Sequence, residues 1–141
     1  MSAFNTFSSG EFSDVEVLSL YESVGWTAYT RDPELLTRAI QSSSHVVTAR
    51  DERGRLVGLA RAISDDATIC YLQDILVHPA FQGAGIGRAL VEQVAARYQH
   101  VRQIVLITDN EPGQRAFYEA LGFTEGSNFT PEPVRVFAQF R

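Results

Sequence analysis

The chain has 141 residues, a formal net charge of -5, 45% hydrophobic and 21% charged residues, the size and balance of one soluble globular domain that buries its core without staples. No Lys/Arg cluster forms a basic stripe, and no segment approaches the roughly 20 uninterrupted apolar residues of a bilayer span, so neither nucleic acid nor membrane is expected as a main partner. A single cysteine, Cys70, excludes an intramolecular disulfide, and His45, His78 and His100 lack metal-ligand spacing, so no metal is expected.

Residues 1–12 have neither a basic flank nor a long apolar stretch; they are read as a loosely held terminus or a first edge strand, and the protein as cytoplasmic. "SDVEVLSLYESVGW" offers Ser13 or Asp14 as a cap, apolar residues at Val17, Leu18 and Tyr21, and a stop at Gly25, which predicts a helix. "RDPELLTRAIQSSS" sets Asp32 before Pro33, a favoured cap and first-turn pair, and then spaces Leu35, Leu36, Ala39 and Ile40 helically. "HVVTAR", "RLVGLARAI" and "ATICYLQDILV" are rich in β-branched and aliphatic residues and separated by the turn chemistry of "DERG" and "SDD", which predicts an antiparallel meander. From Gly85 to about Tyr98, Ile86, Leu90 and Val94, flanked by Ala89, Val91 and Ala95, make the apolar face of a helix. "QIVLITD" lacks alternation and reads as a fully buried strand. "GQRAFYEALGF" predicts a short helix turning Phe117, Ala120 and Leu121 inward and ending at Gly122, and the alternating "PVRVFAQF" predicts a closing strand. The whole is one α/β domain over 1–141: N-terminal helices, a meander, then β-α-β-α-β.

Between the meander and its following helix lies "HPAFQGAGIGRALV", with Gly83, Gly85 and Gly87 close together. A strand end, a glycine loop and a helix start bring unpaired N–H groups and the positive dipole end to one place, which favours an anion. Glycine tolerates the left-handed angles of an amide nest and leaves room for a diphosphate, and Arg88 offers a charge. Taken alone the loop serves equally as a sharp strand-to-helix connection. A nucleotide-hydrolase loop requires Lys and then Ser or Thr after its last glycine, where Arg88 and Ala89 stand. A dinucleotide fingerprint requires a third glycine where Arg88 stands, and an opening parallel unit rather than a meander.

"VHPAFQGAGIGRALV", with Gln82-x-x-Gly85-x-Gly87, resembles the acyl-CoA-binding signature of the GNAT superfamily of N-acetyltransferases, and "RAFYEALGF" resembles its C-terminal helix motif. The resemblance implies a mixed central sheet with two splayed parallel strands. It implies acetyl-CoA as donor, its diphosphate on Gln82, Gly83, Ala84, Gly85, Ile86, Gly87 and Arg88 and its pantetheine arm against the main chain of Ile75, Leu76 and Val77. Asn110 matches a cofactor-contacting Asn, although it stands one residue further from Tyr118 than the family pattern has it; a turn-forming Asn in "DNEPG" is the other reading. Tyr118 matches the general acid that protonates the departing thiolate, a task suited to a phenol.

The incoming amine must lose a proton to a base or a water chain, and Asp74 and Gln73 are the candidates on the strand. A regular strand sends them to opposite faces; a bulge would change that parity. An Asp within an apolar strand serves either as base or as a buried hydrogen-bond acceptor. Trp26 and Tyr29, with Tyr21, lie in the helical segment that in this family borders the acceptor; they line that pocket or pack helix on sheet. Cys70 is expected in the core, His78 in the turn into the glycine loop, His45 at a strand edge and His100 at a helix end, and Arg31, Arg38 and Arg61 as solvated charges. The acceptor is a small-molecule or protein amine, and a homodimer through "VRVFAQF" is open. Two other classes compete: an acyl-CoA-binding sensor or structural module without transfer activity, and a dinucleotide-binding domain.

Overall fold

The computed structural model of the chain describes residues 4–8 and 11–141. Of the expected soft start, residues 1–3 and 9–10 lie outside the described residues. The chain forms two compact units, Met1–Leu106 and Ile107–Arg141.

The first unit is built on a five-stranded sheet in the order β1-β2-β3-β4-β5, with β1 at Phe4–Ser8, β2 at His45–Asp51, β3 at Leu56–Ser64, β4 at Ile69–Val77 and β5 at Gln103–Val105. The first four strands run antiparallel and β5 runs parallel to β4. β1 is thus the edge strand that the sequence allowed at its start. Helix α1, Asp14–Ser23, begins with a capping box: Glu16 N–H donates to Ser13 Oγ at 3.2 Å and Ser13 N–H to Glu16 Oε2 at 2.9 Å. The four-residue helix α2, Thr27–Thr30, follows Trp26, and α3, Pro33–Gln41, starts where Asp32 Oδ1 accepts from Leu35 N–H at 3.2 Å. One face of the sheet buries Val46, Leu56, Leu59 and Leu76 with Val17, Leu20 and Tyr21 of α1 and Leu36 and Ile40 of α3.

Helix α4, Ile86–Arg97, packs over the other face with Ile86, Leu90, Val91 and Val94 buried. The helix comes close because the strands carry small residues there. A Cβ on Gly58 would stand 2.9 Å from Ile86 Cγ2 and 3.1 Å from Leu90 Cδ1.

Two bulges interrupt the ladders. In the second, Arg61 pairs with Asp74 and Ala62 with Leu72, so Gln73 is the extra residue on β4. The insertion exchanges the faces. Asp74 and Leu76 share a face with Arg61 and Leu59, whereas Leu72 and Cys70 share one with Ala62 and Ser64.

β5 corrects one expectation. "QIVLITD" was expected to be fully buried, but the strand is three residues long and only half-buried, because it is the sheet's outer strand with β4 on one side alone. Arg61 corrects another: it is 6% exposed and not solvated. His45 is likewise buried, with no hydrogen-bond partner for Nε2 among the described residues, and burial, with Arg97 second, lowers its pKa. Among the described residues no helix is long and apolar enough to cross a membrane.

The second unit contains α5, Pro112–Ala120. Gly122 follows it at φ +91°, as expected of a terminating glycine. The inward face differs from the sequence reading: Tyr118 is the buried residue, Phe117 and Leu121 are half-buried, and Ala120 is exposed. The closing strand expected over "PVRVFAQF" is absent. This unit holds no other strand to complete its hydrogen bonds, and Val136, Phe137 and Phe140 are exposed.

Candidate active site

β4 runs out at Val77 into a short 3-10 turn, Pro79–Phe81, where His78 Nδ1 accepts from Ala80 N–H at 3.1 Å. Gln82 then folds back and donates its amide to the Val77 carbonyl at 3.2 Å. Gly83 and Gly85 take φ of +83° and +87°, in the left-handed region. No atom lies within 4 Å of a Cβ built on either, so conformation, not crowding, requires glycine there. Gly85 is the N-cap of α4 and supplies no side-chain cap, and the first turn has no acidic residue. Ala89 is the first N–H to find an intrahelical partner, Gly85 O at 3.0 Å. Those of Ile86, Gly87 and Arg88 have none among the described residues, which is the arrangement that binds an anion. Arg88 is exposed and leans on Glu92 at 3.5 Å, a weak pair that leaves its charge at the loop.

Beside this loop the sheet opens. The parallel ladder joins Ile69–Gln103, Cys70–Ile104 and Tyr71–Val105 and then stops. From Leu72 to Val77, β4 pairs β3 on one edge and no described strand on the other. Along Ile75, Leu76 and Val77 the strand therefore has one edge without a strand partner among the described residues, where the Val77 carbonyl takes the Gln82 amide.

On the helical face, the bulge gathers a polar cluster. Asp74 is 4% exposed and its Oδ2 accepts from Arg61 Nε at 2.5 Å and from the Tyr21 hydroxyl at 3.0 Å. Its Oδ1 accepts from the Tyr29 hydroxyl at 3.0 Å, and that oxygen in turn accepts from Gln73 Nε2 at 3.2 Å. Arg61 Nη1 reaches Ser43 Oγ at 3.3 Å. Burial first, and the Asp74 charge second, push the Tyr21 phenol far above its ordinary pKa, so it serves only as a donor. The rings of Tyr21, Trp26 and Tyr29 pack mutually, with Tyr21 edge-on to Trp26 at 5.8 Å and to Tyr29 at 5.5 Å. Gln73 and Asp74, expected on opposite faces of a regular strand, meet on one tyrosine oxygen because of the bulge. Asp74 is surrounded as a buried hydrogen-bond acceptor, with three donors of which one is its paired cation. Such surroundings do not suit a base that must reach an incoming amine.

Arg61 and Ser43 were not assigned to this cluster from the sequence, and Tyr21 was placed beside Trp26 and Tyr29 without its bond to Asp74. The signal for Arg61 was the same that marked Asp74, a charge inside an apolar strand.

In the second unit, Tyr118 is 7% exposed, and burial, with Asp109 second, pushes its phenol up to about 12. Its hydroxyl makes no hydrogen bond to any described residue. Asn110 is exposed, and the turn into α5 is made by Asp109, whose Oδ1 accepts from Glu111 N–H at 3.2 Å. The turn-forming role considered for Asn110 thus belongs to its neighbour.

Residues 42–125, which contain the bulge, the glycine loop and α5, match the family model described as an acetyltransferase (GNAT) domain. The chain belongs to the GNAT acetyltransferase family. This GNAT chain is 32% identical over 111 residues to an uncharacterized N-acetyltransferase, ycf52, of Pyropia yezoensis, covering 77% of the chain and 63% of that protein. It is 35% identical over 116 residues to serotonin N-acetyltransferase 2, chloroplastic, of Oryza sativa subsp. japonica, covering 79% and 55%. A GNAT family acetyltransferase structure from Streptococcus pneumoniae TIGR4 superimposes with a TM-score of 0.80 at 25% identity, covering 98% of this chain and 100% of that one. The sheet with its flanking helices is therefore the GNAT fold, and the family assignment makes the chain an acyltransferase homologue. It spans less than two thirds of the length of the two curated relatives.

Proposed function

We propose that the protein transfers an acetyl group from acetyl-CoA to a primary amine by direct attack in a ternary complex. The observation that carries this reading is the left-handed Gly83–Gly85 loop, with the free N–H groups of Ile86, Gly87 and Arg88, at the end of a β4 edge that lacks a partner. The loop suits a diphosphate, with Gln82, Ala84 and Arg88 flanking it. The open edge at Ile75, Leu76 and Val77 suits an amide-bearing arm that pairs as a short strand would.

Acetyl-CoA supplies an activated thioester. In this reading the chain supplies an anion cradle for the donor, a wall for the acceptor and a proton for the leaving group. Tyr118 is the acid of this reading: burial holds its phenol up at about 12, so it stays protonated across neutral pH and donates to the sulfur as the carbon–sulfur bond breaks, regaining its proton from water. Asn110, exposed before α5, contacts the donor in this reading. Trp26, Tyr29 and Gln73 border the acceptor. An aromatic amine suits that wall, and one relative is a serotonin N-acetyltransferase. The amine's own proton leaves by water, since Asp74 is enclosed and already paired.

The test is an acceptor screen with acetyl-CoA and detection of free thiol, over arylalkylamines, polyamines, amino sugars and lysine peptides. Thiol release that depends on the amine and falls in Tyr118→Phe is expected. Tight acetyl-CoA binding without release across the whole panel would overturn transfer and leave a binding module. NADH binding that coenzyme A does not displace would overturn the cradle assignment itself.

A further inference from the structure

We infer that the buried Arg61–Asp74 pair is a positioning device that ties α2 to the β4 bulge, and that it presents the Tyr29 hydroxyl to the acceptor as a pure hydrogen-bond acceptor. The inference rests on the transferase reading for its consequence on substrate, and on the geometry alone for the anchoring. Helix α2 has four residues and none fully buried; Tyr29 alone packs from it against the core, between the Tyr21 and Trp26 rings, so its position depends on how that one side chain is held. Its polar connections to the sheet are the bond from Tyr29 Oη to Asp74 Oδ1 at 3.0 Å, the bond from Gln73 Nε2 to Tyr29 Oη at 3.2 Å, and the Arg61 guanidinium over the Tyr29 ring at 5.9 Å.

Arg61 and Asp74 are directly paired across β3 and β4, at the position where the register shifts. The guanidinium fixes the carboxylate through Oδ2, and Tyr21 donates to the same oxygen. Oδ1 is left to face Tyr29. A carboxylate cannot donate, so the Tyr29 proton must point at Asp74. Gln73 takes one lone pair of the tyrosine oxygen through its amide N–H. The remaining lone pair, and Gln73 Oε1 with no partner among the described residues, both accept. Two neutral acceptors beside the Trp26 ring suit the N–H groups of an amine and offer nothing to a carboxylate or phosphate. Asp74 and Arg61 act through Tyr29. They are positioning residues, and Asp74 holds no substrate proton.

Trp26 is the single tryptophan of the chain, and its ring lies 6.1 Å from that of Tyr29. Its emission therefore reports on α2 without any turnover. In Tyr29→Phe, which keeps the ring and the buried ion pair, and in Asp74→Asn, Trp26 emission is expected to move to the red and to be quenched more readily by acrylamide, with acetyl-CoA affinity unchanged. With an accepted amine, both variants are expected to raise the acceptor KM roughly tenfold or more, leaving kcat and the acetyl-CoA KM near wild type. Asp74→Asn in the Tyr29→Phe background should add less than about twofold, because the two act on one contact. Unchanged Trp26 emission and quenching in Tyr29→Phe would overturn the anchoring. A fall in kcat of about a hundredfold or more in Asp74→Asn, persisting in the double variant, would overturn it in favour of a base. Failure of the transferase reading shows separately, as absence of turnover in the wild-type protein, and the Trp26 signal then still decides the anchoring.

Discussion

Gly58→Ala tests how the sheet sets the position of the glycine loop. The added methyl would stand 2.9 Å from Ile86 Cγ2, 3.1 Å from Leu90 Cδ1 and 3.3 Å from Ala49 Cβ, where carbon contacts normally rest at about 3.5–4.0 Å. Leu90 can turn its terminal methyl aside. Ile86 cannot, because its Cγ2 is fixed by a χ1 that a helix holds in one rotamer. The first residue of α4 must therefore retreat by about half an ångström, and it follows Gly85 directly. Overpacking of this kind costs about 1–3 kcal/mol, and the lower chain entropy of alanine returns up to about 1 kcal/mol. A net loss of about 1–2 kcal/mol lowers the melting temperature by roughly 3–8 °C for a chain of this size. Differential scanning calorimetry measures the melt, and isothermal titration with acetyl-CoA should show a severalfold weaker Kd. Gly113→Ala is the control, since its Cβ would meet only Glu111 Oε1 at 3.5 Å, an ordinary contact. A Gly58→Ala protein that melts no lower than wild type and binds acetyl-CoA equally well would refute the tight seating of α4.

Gly85→Ala meets no clash but forces a side chain into φ +87°, at a cost of about 1–2 kcal/mol; the melt should fall and acetyl-CoA affinity with it. Tyr118→Phe should lower turnover by about 10²–10⁴ with acetyl-CoA Kd unchanged, measured by thiol release and titration; equal loss of both would mean a packing role. Two acid effects are expected in urea titrations run at a series of pH values. His45 is buried with a lowered pKa, so the unfolded chain binds its proton first and stability falls as pH drops below about 6.5; His45→Gln should remove that step. Arg50, bonded to Glu16 at 2.6 Å, holds that carboxyl down to about 2. Its modest, solvent-screened contribution is present above about pH 4.5 and is lost as pH falls toward 2.

Much of the fold was legible because local chemistry and burial agree. Ser13 with Glu16, and Asp32 with Pro33, mark helix starts that use those residues as caps. The glycine loop was legible for the same reason, since a positive φ at Gly83 and Gly85 is a backbone demand that only glycine meets cheaply. What was not legible depends on partners far away in the chain. The bulge at Gln73 is a mismatch between two strands, and neither strand's own pattern contains it. Arg61 and Asp74 stand 13 positions apart, and each alone looks like a misplaced charge; only pairing explains both. "PVRVFAQF" shows the converse limit. Alternation says that a segment can be a strand, but a strand also needs a neighbour.

The short parallel ladder also has a thermodynamic meaning. β4 and β5 share three paired positions, and the next six residues of β4 turn one edge toward no described strand. A sheet built that way is left incomplete by its own sequence. A ligand that completes it adds to the stability of the protein by mass action, about 2.7 kcal/mol at a hundredfold excess over Kd. If the proposed reading holds, the amides of Leu72–Val77 that face this open edge should exchange hydrogen more slowly once acetyl-CoA is bound, with the ligand standing as a transient sixth strand.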